Sequence, residues 1–350
     1  MDLSVMFFGA DDSSDHAATY ADILAIARAA DELGFTAIWT PERHFQPVGQ
    51  VFPNPALLAA ALATVTSRIA LRAGSVVLPL HHPLQVVEDW AVVDNLSGGR
   101  VGISAATGWH SADFALAPDR FADRRRHTQE AVDTVRRLWA GQDAEFTDGL
   151  GTPVRLRPQP RPSSPALPIW LTSSGSPRSW ADAARLRTHV LAATMGLDRD
   201  TLSQRIADYR TGYAAAPAQV GAAARGTVTV MTHCYVAESD ARARADVLEP
   251  LTEYFRAHVR QTAADRSGTT GQAMAALSPE EVDLMAGFAV RRNLGWGSLI
   301  GSPASCRATL ADFEAIGCDE IACFVDFGPG RDAVLDSLRM LAELRQEVAA

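Results

Sequence analysis

The stretch IALRAGSVVLPLHHPLQVVEDWAVVDNLSGGRVGIS, residues 69–104, decides the fold. Its first part, Ile69–Leu78, is an apolar and β-branched run that is continuous rather than alternating. A strand of that kind is covered on both faces, as in a parallel sheet. Pro83–Leu96 follows as an amphipathic segment, and Val101–Ser104 is a second short apolar run. Strand, helix and strand in that order make one crossover unit between parallel neighbours.

The same unit recurs on either side. Further strand-like runs are Leu3–Phe8, Phe35–Trp39, Ile169–Thr172, His189–Ala193, Thr227–Val236 and Glu320–Phe327. Helical segments separate them. In the first, Tyr20, Ile23, Leu24, Ala27, Ala30 and Leu33 recur at three and four, and Gly34 stops the helix. Eight repeats ending on a helix predict an α/β fold, a (β/α)8 TIM barrel with residues 1–350 as a single domain. A doubly wound open sheet ranks second, because no G-x-G-x-x-G follows any strand. Two stretches stand outside the repeat. Residues 141–168 are rich in Gly, Pro and Arg, with a hairpin expected at Glu145–Leu156; residues 262–301 carry a short helix near Pro279–Met285. Insertions this long between a strand and its helix are expected to form a lid or binding surface.

Charge and composition remove several functions. The chain has 350 residues, 32 basic against 41 acidic, and a formal net charge of -9, which argues against nucleic acid or an anionic membrane as partner. All the basic residues are arginine. Lysine Schiff bases, lysine-bound pyridoxal phosphate and P-loop chemistry are therefore excluded, since a guanidinium does not deprotonate in proteins. Cys234, Cys306, Cys318 and Cys323 form no C-x-x-C pair and read as reduced thiols. No apolar run reaches 18 residues and no signal-peptide pattern opens the chain, so a soluble, cytoplasmic protein is expected.

In a barrel, chemistry sits at the C-terminal ends of the strands and in the loops after them. Those positions hold Thr40–Phe45, Leu78–Pro83, Ala105–His110 and Thr172–Pro177. The last loop leads into a helix start suited to a phosphate, with Arg178 nearby, or is an ordinary Ser cap with Pro in the first turn. Gly108 and Trp109 offer close backbone approach and a flat aromatic face, or simply a turn and a buried Trp. His44, His81 and His110 converge on this end, whereas the adjacent His81 and His82 are expected to point apart. A metal site is not expected, because no carboxylate stands at a ligand-like spacing and H-E-x-x-H is missing.

With these residues the chain resembles the bacterial luciferase-like, flavin-dependent monooxygenases over nearly its whole length. The resemblance rests on Gly34-Phe35, Glu42-x-His44-Phe45, Asn54-Pro55, Gly74–Pro79, His82-Pro83 and Glu88-Asp89, then on Asp94–Arg100, Gly108-Trp109 and Gly317–Ile321. Trp39–Phe45 and Asp326–Gly328 most resemble the branch tied to polyketide and nonribosomal peptide pathways. It implies FMN at the barrel mouth and a homodimer. It also implies a cis peptide at Gly74-Ser75, the Ser104–Trp109 segment (with Ser104, Thr107, Gly108 and Trp109) along the flavin ring, and Ser173, Ser174 and Gly175 around its phosphate. True luciferases carry His-His where this chain has Arg43-His44, so light emission is not implied. Arg43 cannot be a general base but is suited to a peroxide anion, a substrate carboxylate or a phosphate.

The implied reaction takes reduced FMN from a separate NAD(P)H:flavin reductase and O2, and forms a 4a-hydroperoxyflavin that oxygenates an organic substrate, with hydroxylation favoured over N-oxidation or Baeyer–Villiger attack. His44 and His110 are the expected proton-transfer residues, beside Arg43. The substrate is a small molecule or an acyl group on a carrier protein, for which Arg124-Arg125-Arg126 and Arg291-Arg292 are basic contacts or solvated faces. Arg291–Ile300 and the Ala10–Thr19 loop are expected to close the pocket. Other readings are a deazaflavin-dependent dehydrogenase on the same scaffold, a non-catalytic flavoprotein subunit, and a barrel hydrolase or lyase.

Overall fold

A computed structural model of the chain describes residues 1–9, 15–46, 49–173, 175–194, 196–264 and 277–349. Eight parallel strands close into a barrel: β1 (Asp2–Met6), β2 (Ala37–Thr40), β3 (Ala70–Val77), β4 (Val101–Ala106), β7 (Ile169–Ser173), β8 (His189–Ala193), β9 (Val228–Val236) and β11 (Glu320–Phe324). They pair in that order, and β11 returns to β1. The barrel expectation holds, and the open sheet is set aside. Helices α1 (His16–Glu32), α2 (Pro55–Ala63), α3 (Pro83–Ser97), α4 (Arg124–Trp139), α5 (Pro177–Arg185), α6 (Arg199–Ala215) and α10 (Arg331–Ala349) lie outside it.

Local chemistry places these elements. Asn54 caps α2, accepting from the N–H groups of Ala56 and Leu57 at 2.9 and 3.1 Å, with Pro55 in the first turn. Gly98 ends α3 in the left-handed region, at φ +70°, which costs glycine nothing for want of a Cβ. Alternate residues of the strands face inward. At the floor, where the strands begin, this places Arg72 and Glu320 2.8 Å apart inside the barrel. Glu320 also accepts from Ser4 Oγ and Trp39 Nε1, and the Arg72 guanidinium lies over both Trp39 and Trp170. Above them, Met6, Leu191, Met231, Ala322 and Phe324 fill the interior. The outer faces of the strands pack against the helices in a larger apolar layer.

The two irregular stretches differ in position. The expected hairpin is present as β5 (Ala144–Thr147) and β6 (Pro153–Leu156), antiparallel. It follows α4 and precedes β7, so the segment leaves and rejoins the barrel at the floor, with Phe146 reaching the His82 ring at the start of α3; the strand-to-helix placement expected for residues 141–168 is corrected. The buried Asp94 at the end of α3 ties this segment down, accepting from the N–H groups of Ser163 and Ser164 at 2.7 and 2.9 Å and from both hydroxyls. The second stretch follows β9, hence belongs to the mouth. Here α7 (Asp240–Ala264) packs on α8 (Pro279–Asn293), followed by β10 (Leu299–Gly301), which extends the end of β9, and by α9 (Pro303–Ala315). Residues 265–276, within the second stretch, and residues 10–14, within the expected closing loop Ala10–Thr19, lie outside the described residues.

Candidate active site

Glu42, on the loop after β2, is the organising residue of the mouth, and its side chain is buried. One carboxylate oxygen accepts from His44 Nε2 at 2.8 Å and His81 Nε2 at 2.7 Å, and the other from the Val77 N–H at 2.7 Å. Burial pushes its pKa up, but the two histidines and the backbone donor outweigh this and hold it below the usual value. An ionised carboxylate only accepts, so both Nε2 atoms carry a proton. Burial lowers the His81 pKa, and its bond and charge pairing with Glu42 raise it further than burial lowers it. His82 turns away and caps α3 with Nδ1, 3.3 Å from the Leu84 N–H.

The other expected residues stand around this clamp. Arg43 lies with its guanidinium 4.0 Å from the centroid of the Phe8 ring. Phe45 takes the left-handed conformation at φ +55°, strained for a bulky side chain, and stays 66% exposed. His110 is buried after β4, with neither ring nitrogen hydrogen-bonded and Asp113 Oδ1 3.7 Å from Nδ1. Burial raises the Asp113 pKa against the pull of His110, His44 and Arg43. The Gly74-Ser75 peptide is cis. Thr172 Oγ1 lies 2.5 Å from Ser75 Oγ and 2.6 Å from Ser104 Oγ, a line of three hydroxyls across β3, β4 and β7. Gly108, at φ +73°, has Val77 and Phe114 where a Cβ would stand, and Trp109 beside it is 43% exposed.

At the start of α5, the Ser176 side chain makes no capping bond, so the ordinary cap reading does not hold. Ser173 Oγ is buried without a partner, and Gly175 sits at φ +103°. Ser174 lies outside the described residues. A cavity of about 270 Å³ opens here, lined by Thr107, Arg124, Arg125, Thr172 and Ser179 among others. Arg124 donates to the Gly108 carbonyl at 3.2 Å, and Arg125 pairs with Asp182. Of the three consecutive arginines only Arg126 projects into solvent, paired with Glu130 and Asp123. Arg291 and Arg292 are exposed on α8.

These features fit a flavin phosphate. There is an uncapped helix start, a buried hydroxyl in want of a partner, and a cavity with two guanidinium groups in its wall. The ring side has the hydroxyl line and the close backbone approach at Gly108. Glu42 and Asp113 were not singled out as site residues in the sequence, and His81 only as one of three histidines converging on this end, although Glu42-x-His44 was visible. The α7 contribution, Tyr254 and His258, gave no signal beyond an amphipathic helix.

Comparison with known proteins identifies the family. The profile of the luciferase-like monooxygenases matches residues 1–320. The oxygenase component of the flavin-dependent trigonelline monooxygenase of Acinetobacter baylyi is 27% identical over 334 residues, 93% of this chain and 89% of that one. The crystal structure of the monooxygenase RslO1 from Streptomyces bottropensis superposes with a TM-score of 0.78 at 25% identity, covering 100% of both chains. The oxygenating constituent of 3,6-diketocamphane monooxygenase from Pseudomonas putida, solved with FMN, shares the fold with a TM-score of 0.75 at 19% identity, over 98% of this chain and 97% of that one. The chain therefore belongs to the luciferase-like monooxygenase family, as one of its flavin-dependent enzymes.

Proposed function

We propose that the protein is the oxygenase half of a two-component system, taking reduced FMN from a separate NAD(P)H:flavin reductase and O2 from solution to hydroxylate an organic substrate. The single observation that carries this is the grouping, at one end of the barrel, of a hydroxyl line, an uncapped helix start and buried polar atoms without partners. Gly74, Ser75, Ser104, Thr107, Gly108 and Trp109 would hold the ring, and Ser173, Ser174, Gly175 and the α4 arginines the phosphate. Reduced FMN, when bound, supplies the two electrons that let one atom of O2 enter the substrate and the other leave as water.

The chain's own groups set the protons and exclude water. Glu42 fixes the tautomer of His44 and His81, which leaves His44 Nδ1 as a proton acceptor. His110, with both nitrogens unpartnered and a carboxylate 3.7 Å away, is the second proton-transfer group. The second half of α7 covers the β9–β11 side of the mouth through Tyr254 and Phe255, which pack on His233, and limits the entry of water. A relative that is named an oxygenase component supports the separate reductase. Carrier-protein docking loses two of its basic contacts, Arg124 and Arg125, to the cavity wall, which favours a free small molecule. The family resemblance supports a homodimer, a substrate from a polyketide or peptide pathway, and a cytoplasmic setting. No helix among the described residues is long and apolar enough to cross a membrane.

The test is an anaerobic titration with photoreduced FMN, followed by protein fluorescence, beside a reduced deazaflavin. Saturable binding of the first alone supports the reading. Saturation by the deazaflavin alone overturns it and favours a dehydrogenase on the same scaffold.

A further inference from the structure

We propose that Arg43 anchors a carboxylate on the substrate, so that the compound oxygenated is a small organic acid held between the Glu42 clamp and the second half of α7. This deepens the oxygenase reading and rests on it for the location of the reacting end.

Arg43 is a cation without a counter-ion among the described residues. Among the described residues it makes no ion pair, and its one side-chain hydrogen bond runs from Nη1 to Gln261 Oε1 at 3.5 Å, the limit of such a bond. A guanidinium carries five N–H donors in a rigid fork. One face is covered by the Phe8 ring. The neighbouring carboxylates are engaged elsewhere or stand too far off. Asp326 accepts from the N–H groups of Phe8 and Gly9 at 2.7 to 2.9 Å, Glu42 holds its two histidines, and Asp113 faces His110. Asp326 and Asp113 act on Arg43 only as more distant charges, and burial pulls the Arg43 pKa down from its usual value while the group stays charged. A partly buried cation left in this condition is costly unless a ligand completes it.

Arg43 stands on the loop after β2, at the mouth, and is half-buried, so it keeps some exposure there. Tyr254 lies beside Phe8, ring centroids 6.4 Å apart, and adds an aromatic surface to the same wall. His258, stacked on Tyr254 at 6.4 Å, is neutral, because burial and Arg43 pull its pKa down to about 4. His233 is neutral as well, its pKa drawn down to about 3 by burial and by His258. The wall thus offers one full positive charge, a planar fork and aromatic surfaces. This matches a singly charged, planar carboxylate on an unsaturated or aromatic body. A dianionic phosphate asks for more positive charge than this wall holds.

The experiment titrates the full-length protein, with and without FMN, with benzoate and nicotinate and with their neutral amides, benzamide and nicotinamide, by calorimetry. The acids are expected to bind at least about tenfold more tightly than the amides. Arg43→Gln should abolish that preference, and Arg43→Lys should retain part of it. Equal binding of acids and amides, no binding of either acid, or an unchanged preference in Arg43→Gln overturns the anchor. The comparison on unaltered protein stands even where a variant fails to fold. A parallel titration with photoreduced FMN separates the two claims: saturation by FMN without an acid preference removes only the anchor, and no saturation removes the oxygenase reading.

Discussion

The two ends of the barrel treat polar groups in opposite ways. At the floor the buried carboxylates are completed by the chain itself. Glu320 is met by Arg72, Ser4 and Trp39, and Asp94 by Ser163 and Ser164. Asp31 is met by the N–H groups of Ser67, Arg68 and Ile69. At the mouth the chain stops short, with His110, Ser173, Tyr254 and His233 holding buried atoms without partners, and Arg43 lacking an ion pair among the described residues. Satisfied polar groups hold a fold together, while unsatisfied ones mark where a guest completes the set.

The contrast breaks first at Glu320. Replacing it with Ala leaves Arg72 buried without its partner and is expected to cost about 3–5 kcal/mol in chemical denaturation. A variant of unchanged stability would show that the floor network is not structural. Glu42→Gln comes next, with turnover expected to fall about tenfold to hundredfold, because His44 and His81 lose the group that fixes their tautomer. The pH dependence of this clamp has a definite sign. The lowered pKa of Glu42 makes its contribution present above the ordinary carboxylate value and lost on acidification through the depressed one. The raised pKa of His81 makes its contribution complete below the ordinary imidazole value and lost as pH rises through the elevated one. The stability gap between the wild type and Glu42→Gln should therefore be widest in mildly acid solution, between the two ordinary values, and narrow above neutrality. A gap that widens into alkaline solution contradicts the clamp.

Much of this contrast was legible in the sequence. The eight strands read correctly because parallel strands covered on both faces leave continuous apolar runs, as in β4 and β11, buried along nearly their whole length. Boundaries moved by a residue or two: Ile69–Leu78 became Ala70–Val77, since Leu78 opens a short 3-10 turn. Histidines at strand ends were visible, and so was Glu42 beside His44, but not that its carboxylate joins two of them. The bond from Glu42 to His81 spans 39 residues of chain and exists only once β2 and β3 are paired. Residues 141–168 were misplaced because composition marks an insertion without saying which end of the barrel it occupies.

Smaller effects sharpen the comparison. Asp31→Ala, at the floor, removes three backbone hydrogen bonds and should cost about 1–3 kcal/mol in stability without changing turnover per folded molecule. A selective loss of turnover would blur the division between the two ends. Arg126→Ala, on the exposed face of α4, should change neither the melting temperature nor turnover, because solvent screens both of its ion pairs. A clear drop in turnover would restore this face as a docking surface.

The most direct test is hydrogen–deuterium exchange on adding reduced FMN under nitrogen. Protection is expected in peptides covering residues 40–46, 74–82, 104–113 and 171–178, with the floor peptides around residues 66–72 and 160–166 unchanged. Protection at the floor, or none at the mouth, contradicts the assignment of the open end of the barrel as the flavin site.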